Sequence, residues 1–257
     1  MEKNVEKITS RSNPVCLHVK KLGKSKNYRD EHKQFLCDGE KLLSEAISAG
    51  AQIEVVLSSS SVLDKLSENI RVYHVEESMM DSLSPLKSPQ DLLFVCSYPQ
   101  LSVCNFQEGT HVLLDGVQDP GNVGTILRSA YAFGIKSVIL TEGCADIYNP
   151  KTIRASMGAI FKQRVYTMSN DEISNLKQSG AKLIGAENKE CAIDITKADL
   201  SNSIIMLGNE GQGISKELLT LCDEMVKIPI STGSESLNVA VAGSIIMWEV
   251  GGRICRH

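Results

Sequence analysis

Short unbroken apolar runs alternate along the chain with stretches whose apolar positions recur every three or four residues. This is the pattern of strands alternating with helices. Near the start, Asn13 caps a helix with Pro14 at its first position, and the periodicity runs over 15–22 until Gly23, which is expected to stop it. Residues 34–37 read as a strand. Leu42, Leu43, Ala46 and Ile47 line one face of a helix over 39–49 that Gly50 ends. Further strands are expected at 53–57, 72–75 and 92–96, with a helix over 62–68 after the serine run at 58–61. From 98 to 109 the periodicity fades, and Pro99, Asn105 and Gly109 mark a linker. A small α/β domain over 1–105 and a second domain over 106–257 are expected.

The second part alternates more strictly. Strands are expected at 111–114, 137–141, 165–168, 182–186, 204–207 and 225–228, and helices at 122–133, 171–178, 215–222 and from 237 to about 252. Strand–helix alternation with near-continuous apolar strands predicts a parallel sheet covered on both faces, an α/β fold.

Composition sets limits on this picture. The chain has 257 residues, 42% of them hydrophobic, enough for an ordinary globular core. No apolar run is long enough to span a bilayer, and the polar stretch 1–12 has no apolar signal core, so a cytoplasmic protein is expected. The eight cysteines contain no CxxC pair, so they read as small buried hydrophobes and no metal site is expected. The net charge of −4 argues mildly against a nucleic-acid partner, but its distribution argues the other way. Residues 7–33 carry eight Lys or Arg against Asp30 and Glu31, +8 − 2 = +6. Residues 149–164 carry Lys151, Arg154, Lys162 and Arg164 with no acid.

Three Gly- or Asn-rich segments each follow an expected strand, where parallel α/β sheets place ligands. They are DGVQDPGNVGTILRSAYAFG at 115–134, IMLGNEGQGIS at 205–215 and IPISTGSESLNVAVAGSIIMWE at 228–249. None is GxGxxG, since the first segment has its glycines at Gly116, Gly121 and Gly124, and no GK[ST] follows a glycine run. The spacing therefore argues against a Rossmann nicotinamide enzyme and against an NTPase. By these rules alone the chain is an α/β protein that binds a small polar ligand in glycine-rich loops.

In order, the three segments resemble the motifs of the SpoU (TrmH-like) branch of the SPOUT methyltransferases. The first matches through Asn122 and Arg128, the second through Gly208, Asn209, Glu210, Gly211 and Gly213, and the third through Pro229, Ser236, Leu237 and Asn238. The resemblance covers about 150 residues, and more loosely the first part resembles the family's α/β RNA-binding domain. It implies a C-terminal domain closed by a trefoil knot, bound S-adenosylmethionine, a homodimer, and transfer of methyl to a ribose 2′-hydroxyl of RNA. By the same resemblance Arg128 works beside the target ribose and its phosphate, with Asn122 and Asn238 orienting it or the loops. Gly208, Ile228 and Leu237 touch the cofactor, largely through the main chain, with Leu207, Asn209, Glu210, Gly213 and Ser236 around them. Glu210 reads chiefly as a loop stabiliser; Ser236 reads equally as a substrate contact or a helix cap. Arg154, Lys20, Lys24 and Arg29 are expected to hold RNA phosphates. Ribosomal RNA is favoured over transfer RNA because of the separate first domain. A silent RNA-binding protein is disfavoured because Arg128 and Asn238 are both present.

Overall fold

Every residue of the strands His111–Leu114 (β6), Val138–Leu140 (β7) and Ser203–Leu207 (β11) is buried, as strands covered on both faces require. The computed structural model describes residues 6–60, 70–86, 90–101, 103–231, 233 and 236–254. The helix expected over 62–68 lies outside the described residues. Among them, no helix is long and apolar enough to cross a membrane.

The chain divides into two compact units. One holds residues 1–100 and 146–161, the other 101–145 and 162–257. The expected linker near residue 105 therefore falls close to the first crossing, whereas the return of 146–161 has no counterpart in the sequence pattern.

The first unit is built on β1 (Glu6–Ile8), β2 (Gln34–Asp38), β3 (Ile53–Ser58), β4 (Arg71–Val75) and β5 (Leu92–Ser97), in the order β1-β4-β3-β5-β2. β3 pairs parallel to β4 and antiparallel to β5, so the sheet is mixed. Its helices are α1 (Pro14–Lys24), α2 (Lys26–His32), α3 (Glu40–Ser48) and α4 (Glu77–Leu83). α1 starts as expected, with Asn13 accepting from the Val15 amide at 2.9 Å. It does not stop at Gly23. A side chain there would meet Pro85 and Leu36 at 3.1–3.3 Å, so this glycine serves close packing instead. Ser25 ends α1 and caps α2 through the Tyr28 amide at 3.2 Å. Cys16, Val19, Leu22, Leu36, Leu57, Leu93 and Val95 form the core.

The helix α6 (Pro150–Ser156) lies within the returning segment. Tyr148 stacks on Tyr98 with centroids 3.9 Å apart and lies 4.7 Å from Phe35. Asp146 receives the buried Arg29, whose Nε and Nη2 donate to Oδ2 at 3.1 and 2.5 Å, while Nη1 donates to the Leu22 carbonyl at 2.6 Å. This corrects the RNA role expected for Arg29. Its side chain is 3% exposed and its charge is matched by Asp146, so phosphate cannot reach it.

The second unit carries one parallel seven-stranded sheet, ordered β10-β12-β9-β11-β6-β7-β8. The remaining strands are β8 (Val165–Thr167), β9 (Lys182–Ala186), β10 (Ile193–Asp194) and β12 (Glu224–Lys227). The helices are α5 (Pro120–Ala132), α7 (Asn170–Gln178), α8 (Lys216–Leu219) and α9 (Val239–Ile254). Leu113, Ile139, Leu183, Ile204, Met206 and Leu218 fill the core on one face. α9 packs on α5, and the Ser129 and Ser244 hydroxyls bond across them at 2.7 Å. Gly243 lets α9 approach the sheet, since a side chain there would fall 2.7 Å from Leu207.

Candidate functional site

The three singled-out segments become loops at the carboxyl ends of β6, β11 and β12. In a parallel sheet those ends share one edge, the edge where open α/β folds bind ligands. The first loop leads into α5. Asp119 caps it by accepting from the Asn122 amide at 2.8 Å, and Pro120 occupies its first turn. The third loop leads into α9. Its cap is Asn238, which accepts from the Ala240 and Val241 amides at 2.9 and 3.2 Å. Ser236 lies before the cap, exposed, so the capping role that its position allowed belongs to Asn238.

The second loop folds back on itself. Asn209 and Gly213 exchange main-chain bonds at 2.9 Å in both directions. The Asn209 side chain accepts from the Gly211 and Gln212 amides and donates to the Gly116 carbonyl at 2.8 Å. A Cβ on Gly208 would lie 2.1 Å from the Gly213 carbonyl carbon and 2.2 Å from the Ile214 nitrogen. The close approach that requires glycine here is to the loop's own return strand.

One chain of side-chain bonds joins all three loops. Asn238 Nδ2 donates to Asn122 Oδ1 at 3.1 Å, and Asn122 Nδ2 donates to Glu210 Oε1 at 2.9 Å. Each amide thereby donates to the next oxygen, and Glu210 accepts at the end of the chain.

Beside this chain lies a cleft of about 660 Å³. Leu207, Gly208, Asn209, Glu210, Gly213, Ile228, Ser236 and Leu237, all expected at a cofactor, line it, and Asn238 does too. Asn122 reaches it only through its two bonds. Arg128 stands exposed on α5, forms no hydrogen bond or ion pair among the described residues, and does not line the cleft. Lys20 and Lys24 occupy α1 of the first unit, half-buried and exposed, and Arg154 is exposed near the end of α6. The structure thus gathers the cofactor set in one place and leaves the RNA set on the other unit.

Two carboxylates and a hydroxyl were not singled out from the sequence. Glu187, just past β9, lines the cleft and accepts from the Ile214 amide at 3.0 Å. Asp115, just past β6, accepts from the Ser215 amide at 2.7 Å and from the Thr141 hydroxyl at 3.1 Å. Their signal was an acid directly after an apolar strand. Glu187 also pairs with Lys189 at 2.5 Å, which holds the ammonium pKa above its ordinary range. Burial, with Glu187 and Asp223 adding to it, pushes the Cys222 thiol up to about 11, so it stays protonated and unreactive at neutral pH. Among the described residues no group of His, Cys, Asp and Glu is placed to hold a metal ion.

Comparison with known proteins decides the family. The model of the SpoU rRNA Methylase family matches residues 109–248. The chain belongs to the SpoU methylase family. The model of an MRM3-like substrate binding domain matches residues 13–93, within the first unit of this SpoU protein. Over 251 residues the chain is 30% identical to the 23S rRNA (guanosine(2553)-2′-O)-methyltransferase RlmP of Bacillus subtilis, covering 96% of this chain and 100% of that one. The mitochondrial rRNA methyltransferase 3 of Homo sapiens is 28% identical over 299 residues, covering 90% of this chain and 70% of the relative. The crystal structure of an AdoMet-bound rRNA methyltransferase from Sinorhizobium meliloti superposes with a TM-score of 0.87 at 26% identity, over 97% of this chain and 98% of that one.

Proposed function

We propose that this SpoU chain transfers the methyl group of S-adenosylmethionine to a ribose 2′-hydroxyl of ribosomal RNA. One observation carries the reading: the Asn238–Asn122–Glu210 chain ties the three motif loops into a single wall beside the cleft. The cleft suits the cofactor. Its volume lies within the roughly 300–1,000 Å³ usual for small-molecule sites. Leu207, Ile228 and Leu237 offer apolar surface to a flat heterocycle, and the Gly208–Gly213 main chain with Asn209 offers polar groups. When bound, the cofactor supplies a methyl group activated on a sulfonium.

The chain's own residues do the rest. Asn122 and Asn238 fix the loops against which the target nucleotide would align beside the cofactor. Arg128, which forms no hydrogen bond or ion pair among the described residues, presents a guanidinium fork to the phosphate beside the target ribose. It acts by positioning and charge, and the hydroxyl proton passes to a phosphate oxygen of the substrate. A 2′-hydroxyl acceptor means RNA. Ribosomal RNA is supported by the match of the first unit to an MRM3-like substrate binding domain and by the names of the relatives. Lys20, Lys24 and Arg154 remain our candidates for phosphate contacts there.

We further read the protein as a cytoplasmic homodimer whose C-terminal segment threads through a loop to form a trefoil knot. Tyr131, Val241 and Trp248 on α5 and α9 are each about half exposed, and such an apolar face favours a second copy as its cover.

The test is transfer of labelled methyl from S-adenosylmethionine to purified ribosomal and transfer RNA in separate reactions. Label in ribosomal RNA that protects one linkage from alkaline cleavage is the expected result. Label in transfer RNA alone overturns the substrate, and label that leaves every linkage alkali-sensitive overturns ribose as the acceptor.

A further inference from the structure

The second loop is gripped from both flanks at two consecutive main-chain amides. β11 lies between β9 and β6 in the sheet, and the loop that leaves it, 208–215, rises between their ends. From the β9 side Glu187 takes the Ile214 amide, and from the β6 side Asp115 takes the Ser215 amide. Neither bond belongs to a regular element. A loop returning over a sheet edge leaves such amides without partners unless side chains supply them. Asp115 is itself anchored by Thr141, whose hydroxyl also receives the Gly116 amide at 3.1 Å. Glu187 is shaped to the loop as well, since a side chain on Gly213 would fall 2.8 Å from its Oε1. The loop so held presents Gly208, Asn209 and Glu210 to the cleft and carries the Glu210 end of the bond to Asn122.

We propose that Asp115 and Glu187 are positioning residues for the cofactor cleft, clamping the second loop in its binding-ready shape through the Ser215 and Ile214 amides. The inference rests on reading the cleft as the cofactor site. It makes the needed property of both residues an acceptor oxygen rather than a negative charge. Without either acceptor the loop samples other shapes, and cofactor affinity falls by the fraction of time the cradle is unmade.

The decisive experiment titrates full-length protein with S-adenosylmethionine by calorimetry and measures methyl transfer at varied cofactor. Asp115→Ala and Glu187→Ala are each expected to weaken cofactor binding about tenfold or more, the effect of leaving a main-chain amide without its acceptor. The KM for cofactor rises in step, while kcat at saturating cofactor stays within about threefold of wild type. A merely destabilising change would instead lower the active fraction and leave KM alone. Asp115→Asn and Glu187→Gln keep an acceptor and are expected to bind within about threefold of wild type. Wild-type affinity in both alanine variants overturns the inference and leaves the function standing. Amide variants as weak as alanine ones also overturn it, and they decide the matter should the alanine variants fail to fold. Wild-type protein that binds no S-adenosylmethionine overturns the cofactor site itself and the inference with it.

Discussion

A single carbon added at Gly208 would lie 2.1 Å from the carbonyl carbon of Gly213, with no flexible side chain to give way. Gly208→Ala is therefore expected to push the second loop open. Cofactor titration should show binding lost, and thermal unfolding should show a cost of about 1–3 kcal/mol, the usual range for overpacking. Arg128 is the opposite case. It is exposed and bonded to nothing among the described residues, so Arg128→Ala should leave both the thermal midpoint and cofactor affinity unchanged. Transfer should fall below detection, and a variant that methylates normally would remove the role assigned to this residue. The family resemblance singled out both Arg128 and Gly208 in the sequence. What each touches was not legible there. The neighbour of Gly208 is its own loop five residues on, at Gly213, and only the folded chain brings that neighbour close.

Among the elements, α5, α9 and the parallel strands were readable from periodicity and capping residues, because local preference and tertiary burial agree there. α2 was not. Its residues KNYRDEH show no apolar stripe, and it buries only Arg29. A charged residue reads as surface in any pattern, yet here it is the anchor, paired with Asp146 from 117 positions away. Removing one partner of a buried pair strands the other charge. Arg29→Ala is expected to destabilise the first unit by about 3–5 kcal/mol, readable in chemical denaturation. The double variant Arg29→Met with Asp146→Leu should recover much of the loss, whereas equal damage in single and double variants would mean that the charge pair is not what holds the segment.

Over the whole molecule, each unit holds a histidine that titrates low, half-buried His18 in the first and fully buried His111 in the second. Burial depresses the pKa of His18 in the first unit, with His32 and Lys21 acting the same way, and that of His111 in the second, with Lys136. The folded state therefore binds fewer protons than the unfolded state just below the ordinary histidine value of about 6.5. This stabilising contribution is fully present above about pH 6.5 and is lost as pH falls through the folded pKa values. Thermal midpoints measured from pH 7.5 down to 5 should decline, and a flat or rising profile would show that these rings are charged in the fold. Charge also sets how RNA is met. Lys20 and Lys24, four residues apart on α1, fall on one side of the helix. Reversing both to Glu should weaken ribosomal RNA binding and lower its salt dependence by about two units of logarithmic slope, while cofactor affinity holds.

The return of residues 146–161 to the first unit bears on how the protein is made. When residue 100 has left the ribosome, Arg29 has no counter-charge, and Tyr98 and Phe35 have no Tyr148 to pack on. The unit waits for residue 161, another 161 − 100 = 61 residues, which takes roughly 3–12 s at about 5–20 residues per second. In that interval β6, α5 and β7 have already emerged. The nascent chain thus begins its second body before it can finish its first, and a fragment ending at residue 100 should stay incompletely folded however long it is given.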